Sequence, residues 1–373
     1  MCANLSIADF LTQSKHLSEN PSPCDTIHVV LGNESCDLDS AVSAILYAYF
    51  LVCNGDMGVL PMLNIPQKQL PIKTEVVYFL QENSICLENL IFRDSINLEQ
   101  LSQSGKLKVT LVDHHVLANQ DKFLKPYVIE ILDHRPVSPS ESWGKLERGT
   151  TMEIVGSCVT HVARKMLEHQ PDLVSGNRNV ANLIYGTILL DTACLSVQAN
   201  RATVKDHDLI ASLKRLHPDL QPESVLFQSL LDARSNISNL TSAQLMIKDL
   251  KITKQGVPIV GLPILVQDFL RKTPKLKVTL DTFLEENNAS FLVLMGQTIS
   301  GDTIRRDLGL YSPNSDTQLD HVISILENNQ SPKLDMREIE PEENHRIVRL
   351  FKLTNVQVSR KQVLPLIEKA FES

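Results

Sequence analysis

The sequence has no CxxC pair. Its seven cysteines (Cys2, Cys24, Cys36, Cys53, Cys86, Cys158 and Cys194) stand singly. An odd, scattered set suits neither a disulfide framework nor a zinc-thiolate site, and fits a reducing compartment. No apolar run approaches the ~18 residues of a membrane span. Residues 1–22 also lack the charged segment and apolar core of a secretory signal, so a cytoplasmic protein without a membrane anchor is expected. Aromatic residues are only 5% of the chain, with one Trp. Positive charge is scarce as well: 36 Lys and Arg against 44 Asp and Glu give a net charge of -8. That balance argues against a binder of nucleic-acid duplex, which needs a basic footprint. An anionic substrate would have to find its positive charge locally, from a metal and a few placed Arg and Lys.

What is present is an ordinary folded composition, 43% hydrophobic and 21% charged over 373 residues. Single cores stop growing near ~250–300 residues, so two domains are expected. Residues 26–32, 75–80, 108–113 and 128–133 read as strands. Residues 40–53 and 156–169 are apolar at helical spacing, and 84–92 and 117–123 also admit helices. Strands alternating with helices imply a mainly parallel sheet, whose ligands bind beyond the carboxyl ends of the strands. The pattern weakens after Arg201 and breaks at the polar stretch from His217 to Pro222, so the domains are set at 1–215 and 216–373. The second has its own alternation, with strands near 257–265, 289–297 and 346–353 and helices near 277–286, 318–328 and 361–371. The fold class is α/β in both, the second domain being the smaller.

Four apolar stretches end in an acid. Ile27 to Leu31 runs into Gly-Asn33-Glu-Ser-Cys-Asp37-Leu-Asp39-Ser, and Leu-Val precedes Asp113-His114-His115. Ile-Leu precedes Asp133-His134-Arg135, and Ile-Leu-Leu precedes Asp191. Hard cations take oxygen ligands, and His is the commonest nitrogen ligand. The bland alternative for Asp37 and Asp39 is helix capping, with Asp39 or Ser40 as the cap. The acid and two imidazoles at a second strand end favour metal. Oxygen and imidazole ligation suits Mg²⁺ or Mn²⁺, and two such ions can clamp both the attacking and the leaving oxygen of a phosphoryl transfer. Near the C-terminus, Ser359 and Gln362 form a capping box before the last helix. Arg360 and Lys361 then make that helix N-terminus either an anion site or a basic surface turn.

These motifs resemble the DHH phosphoesterase superfamily. Asp113-His114-His115 is similar to its signature, and the segments carrying Asp37, Asp133 and Asp191 to its other motifs. Ser359-Arg360-Lys361-Gln362 and Lys248-Asp249-Leu250-Lys251 resemble the basic motifs of the DHHA2 domain. The closest resemblance is to the prune and eukaryotic exopolyphosphatase branch, with family II inorganic pyrophosphatases as relatives.

The resemblance implies a DHH domain, a DHHA2 domain and an active site in the cleft between them. It implies two metal ions, Mn²⁺ or Mg²⁺. Asp37 would hold the first and Asp39 the second, Asp113 would bridge them, and His134 and Asp191 would complete the second site. Catalysis would involve Asp113 with His114 and His115, which orient it or contact substrate. Arg135, Lys251, Arg360 and Lys361 would hold phosphate. Many superfamily members have a His ligand where this chain has Asn33, so Asn33 is expected as a weak ligand. The implied function is exopolyphosphatase: a metal-bound hydroxide releases inorganic phosphate from short polyphosphates. Two alternatives stay open. One is a cyclic-nucleotide phosphodiesterase, with Trp143 or Tyr127 offering a base slot. The other is a prune-type regulatory protein with signalling partners and weak catalysis.

Overall fold

The structure, a computed structural model, describes residues 5–20, 26–138, 142–300 and 303–372; Cys2 and Cys24 lie outside the described residues. The chain divides into two compact units, Met1–Asn236 and Ile237–Ser373. Among the described residues, no helix is long and apolar enough to cross a membrane.

The first unit is built on five strands: β1 (Ile27–Leu31), β2 (Val59–Met62), β3 (Leu107–Val112), β4 (Val128–Asp133) and β5 (Gly149–Met152). They pair in the order β2-β1-β3-β4-β5, every pair parallel. β1, β2 and β4 are buried along their whole length. That is why they appear in the sequence as continuous apolar runs rather than alternations. The helices are α1 (Ile7–Glu19), α2 (Leu38–Cys53), α3 (Thr74–Glu82), α4 (Leu98–Gln103), α5 (Cys158–His169), α6 (Asp172–Ser175), α7 (Arg178–Asp191), α8 (Val204–Leu216) and α9 (Glu223–Ser235). Every residue of α2 except Val52 is buried, as befits a helix apolar on all sides. α2 packs with α5 and α7 over one face of the sheet. From β1 the chain moves out to β2 and then crosses back to β3 on the other side of β1. The carboxyl ends of β1 and β3 therefore form the switch point of the sheet, where open α/β folds take ligands.

Three readings are corrected. Residues 75–80 are in helix α3, not a strand. Their β-branched and aromatic residues suggested β structure, but the buried set Glu75, Val76, Phe79 and Leu80 has helical spacing. Phe79 packs against Gly186 of α7, where an added Cβ would sit 2.3 Å from the ring. Residues 84–92 hold only a short 3₁₀ turn, Leu87–Asn89. The division between units falls after Asn236 rather than after residue 215, because α9 buries Leu226 and Leu230 in the first unit's core.

The second unit is a six-stranded mixed sheet of β6 (Leu250–Ile252), β7 (Pro258–Leu262), β8 (Leu292–Ser300), β9 (Thr303–Tyr311), β10 (Met336–Ile339) and β11 (Arg349–Leu353). Its order is β10-β11-β9-β8-β7-β6, with only β7 and β8 parallel. Helices α10 (Ser242–Lys248), α11 (Val266–Lys272), α12 (Leu276–Glu286), α13 (Asp316–Asn328) and α14 (Arg360–Ala370) cover both faces. Along β8, Leu292 and Leu294 belong to one core cluster and Val293 and Met295 to the other, the period of two that a pleated strand imposes.

Candidate metal centre

Asp37 is the N-cap of α2, its carboxylate accepting the Ser40 N–H at 3.1 Å. The sequence had pointed to Asp39 or Ser40 as the cap. Asp39 instead sits in the first turn of α2 and reaches the N-terminus of α5. There it accepts the backbone N–H of Cys158 at 2.6 Å and of Val159 at 2.9 Å. The unpaired amides of a helix N-terminus suit a carboxylate.

Asp113 follows β3 with a left-handed backbone, φ 61°. Its conformation is held from three sides. Its N–H donates to Leu132 O at 2.9 Å, and the Cys158 thiol sits 3.3 Å away. Its carboxylate accepts the Asn33 amide N–H at 2.6 Å and lies 3.2 Å from His134 Nε2. His134 follows β4. Its Nδ1–H donates to Val155 O at 3.0 Å, which fixes the ring and turns Nε2 toward the acids. Ligand atoms of Asp39, Asp113 and His134 lie within 4.8 Å of one another. Asp191 differs from the other acids: it is the last residue of helix α7, not the end of a strand.

One cavity, about 280 Å³, is lined by Asp37, Asp39, Asp113, His134, Arg135 and Asp191, together with Val155, Gly156 and Arg201. Its electrostatics are those of crowded acids. Burial, and then the neighbouring Asp39 charge, hold the carboxyls of Asp37, Asp113 and Asp191 above the ordinary carboxylate range. Burial pulls the His134 imidazole down, but the Asp113 and Asp39 carboxylates outweigh it and push it up to about 10. Arg135 is half exposed and reaches Asp113 at 3.5 Å.

The other expected residues are placed differently. His114 donates Nδ1–H to Val112 O, and burial pushes its imidazole below the ordinary range. It lines an adjoining cavity with Asn33, Asn64 and Arg135. Both ring nitrogens of His115 are engaged, Nδ1 with Asp133 and Nε2 with the Ser138 N–H at 2.9 Å. His115 is thus a brace for the β4 turn and does not line the acidic cavity. The Asn33 amide oxygen accepts from Ser35 N, Ser35 Oγ and Cys36 N. Its amide nitrogen is spent on Asp113, so Asn33 orients that acid and offers no free oxygen to a cation. In the second unit, Arg360 opens α14 and pairs with Asp249 at 2.5 Å, which brings the two basic motifs together. Gly261 allows it: an added Cβ would lie 2.5 Å from Asp249 and 3.3 Å from Arg360. Lys251 and Lys361 are exposed.

Two contributors escaped the sequence reading. Arg201 lines the cavity from a segment with no recognisable motif. Asp206, fully buried on α8, accepts from Gly156 N at 2.8 Å, Thr203 N, Thr203 Oγ1 and Thr160 Oγ1. It thereby fixes the loop that carries Val155 and the start of α5. The Thr203-x-x-Asp206 capping pattern was a signal that could have found it.

Acids gathered at the switch point of a parallel sheet make a candidate metal centre, and comparison with known proteins gives the family. Residues 228–370 match the DHHA2 domain family. The chain is 37% identical to the bovine protein named exopolyphosphatase PRUNE1, over 93% of this chain and 76% of that one. A putative exopolyphosphatase of Schizosaccharomyces pombe is 27% identical over 97% and 94% of the two chains. A manganese-dependent inorganic pyrophosphatase of Methanothrix thermoacetophila is 26% identical over 73% and 81%. The chain belongs to the prune-type exopolyphosphatase family of DHH phosphoesterases.

Proposed function

We propose that the chain is a metal-dependent exopolyphosphatase that releases inorganic phosphate from short polyphosphates. The observation that carries this reading is the convergence of Asp37, Asp39, Asp113, His134 and Asp191 on one cavity. The donor set fits two Mn²⁺ or Mg²⁺ ions: four carboxylates and one imidazole, with Asp113 shared. The raised carboxyl pKa values support it, because crowded acids gain most from a divalent cation. Such ions lower the pKa of a bound water and draw charge from phosphoryl oxygens.

The protein's own groups do the rest. Asp39 is pre-oriented by the amides of α5, and His134 by Val155 O, so neither has to be ordered when substrate arrives. Asn33 and the Cys158 thiol hold Asp113 in its left-handed conformation. Arg135 supplies a fixed charge and a two-pronged donor for a phosphate. In the second unit, Lys251, Arg360 and Lys361 are our assigned phosphate contacts. Among the described residues, no Phe, Tyr or Trp side chain lines the acidic cavity, which does not favour the cyclic-nucleotide reading. Trp143 donates its indole N–H to His115 O, and its ring lies 5.1 Å from Lys125 Nζ.

The test is phosphate release from tripolyphosphate, pyrophosphate and a long polyphosphate, with Mn²⁺ or Mg²⁺ and with a cyclic nucleotide in parallel. Asp113→Ala is expected to abolish turnover. Retention of most of the activity would sink the shared-ligand assignment.

A further inference from the structure

Among the described residues, two guanidinium groups line the acidic cavity, and only one belongs to a motif. Arg135 leans on the Asp113 carboxylate at 3.5 Å. Arg201 is exposed and donates to the backbone oxygen of Asp191 at 3.4 Å, ten residues before it in the chain. Among the described residues, no carboxylate pairs with Arg201. Two exposed arginines elsewhere in the first unit do have such partners, Arg164 with Glu153 and Arg178 with Asp219, while Arg215 donates to the Ser212 hydroxyl. A guanidinium held by a carbonyl, at the wall of a cavity full of acids, keeps its charge and most of its five donors uncommitted.

Charge balance gives that cation a use. Two divalent ions would only cancel the carboxylates of Asp37, Asp39, Asp113 and Asp191. A polyphosphate is strongly anionic and approaches a protein of net charge -8. Further positive charge is needed at the cavity itself, and Arg135 and Arg201 are its fixed cations. Arg supplies parallel donors that match two oxygens of a phosphate. The bond to Asp191 O ties the position of Arg201 to that of the fourth acid.

We infer that Arg201 is a substrate-binding residue of this site and grips a terminal phosphate of the polyphosphate chain. The inference rests on the metal-dependent phosphatase reading above, and its test separates the two. Wild type, Arg201→Ala and Arg201→Lys would be compared by three measurements. The first is Mn²⁺ affinity by calorimetry without substrate. The second is the affinity of the Mn²⁺-loaded protein for imidodiphosphate, a pyrophosphate analogue with a P–N–P bridge. The third is KM and kcat for tripolyphosphate.

Arg201→Ala is expected to weaken imidodiphosphate binding and raise KM about 10-fold to 100-fold, the range for a charge-assisted hydrogen bond. Mn²⁺ affinity should stay within about 2-fold, since that bond is not to a ligand atom, and Arg201→Lys should fall between. Unchanged anion affinity overturns the inference. An equal loss of Mn²⁺ and anion affinity also overturns it, because Arg201 would then only brace Asp191. If wild type binds imidodiphosphate but hydrolyses no phosphoanhydride, the exopolyphosphatase reading fails. The anion-binding comparison alone then decides for or against Arg201.

Discussion

Asp113 holds a left-handed backbone, φ 61°, which costs an ordinary residue about 1–2 kcal/mol. Asn33, Cys158 and His134 together offset that cost, so the acid would meet a cation with little freedom left to lose. His28 is one residue that couples the fold to pH. Buried on β1 with Nε2 2.8 Å from Thr110 Oγ1, it is pushed down to about 4, by burial first and then by the Arg148 charge. An unfolded chain takes up this proton near pH 6.5, whereas the folded one refuses it until about pH 4. The contribution is therefore lost as pH falls from 6.5 towards 4, by roughly 3 kcal/mol at the limit. His28→Gln can keep a hydrogen bond to Thr110 without titrating. Urea midpoints at pH 7 and pH 4.5 should fall less for this variant than for wild type. Equal falls would show that His28 does not carry the slope.

At the scale of elements, the centre depends on how helices meet. Asp206 joins the start of α8 to the loop before α5. That loop provides Val155 O for His134 and the α5 amides for Asp39. Gly156 lies so close that an added Cβ would be 2.4 Å from Thr192 and 2.9 Å from Asp206. Asp206→Ala would strand the buried Gly156 amide and the partly buried Thr203 amide, destabilising the first unit by roughly 3 kcal/mol. It should also weaken Mn²⁺ binding, measured by calorimetry on the folded variant. Unimpaired Mn²⁺ affinity would make Asp206 a helix brace and nothing more. Elements with a strong local pattern were legible beforehand: α2, α5, β1, β3, β4 and the Ser359–Gln362 capping box. α3 was not, because its β-favouring residues outweighed its helical spacing until Gly186 supplied a surface to pack on.

On the scale of the whole molecule, the two units have separate cores and separate sheets. Mn²⁺ at about 100 times its dissociation constant should stabilise the first unit by about 3 kcal/mol and leave the second unchanged. Melting the fragments Met1–Asn236 and Ile237–Ser373 with and without Mn²⁺ checks this. A shift in the second fragment, or none in the first, would place the ion elsewhere. The amino-acid sequence by itself determined the chemistry on offer. Acids followed apolar runs, a His followed two of those acids, and cations opened the last helix, all patterns with a range of a few residues. Only the tertiary structure decided which of these groups face one another. It turned His115 onto Asp133, spent the Asn33 oxygen on its own turn, and delivered Asp191 from a helix end. It also added Arg201, which no local pattern marked. Facing is set by strand order, by the reach of helices and by hydrogen bonds between residues far apart in the chain, and short-range periodicity carries none of these.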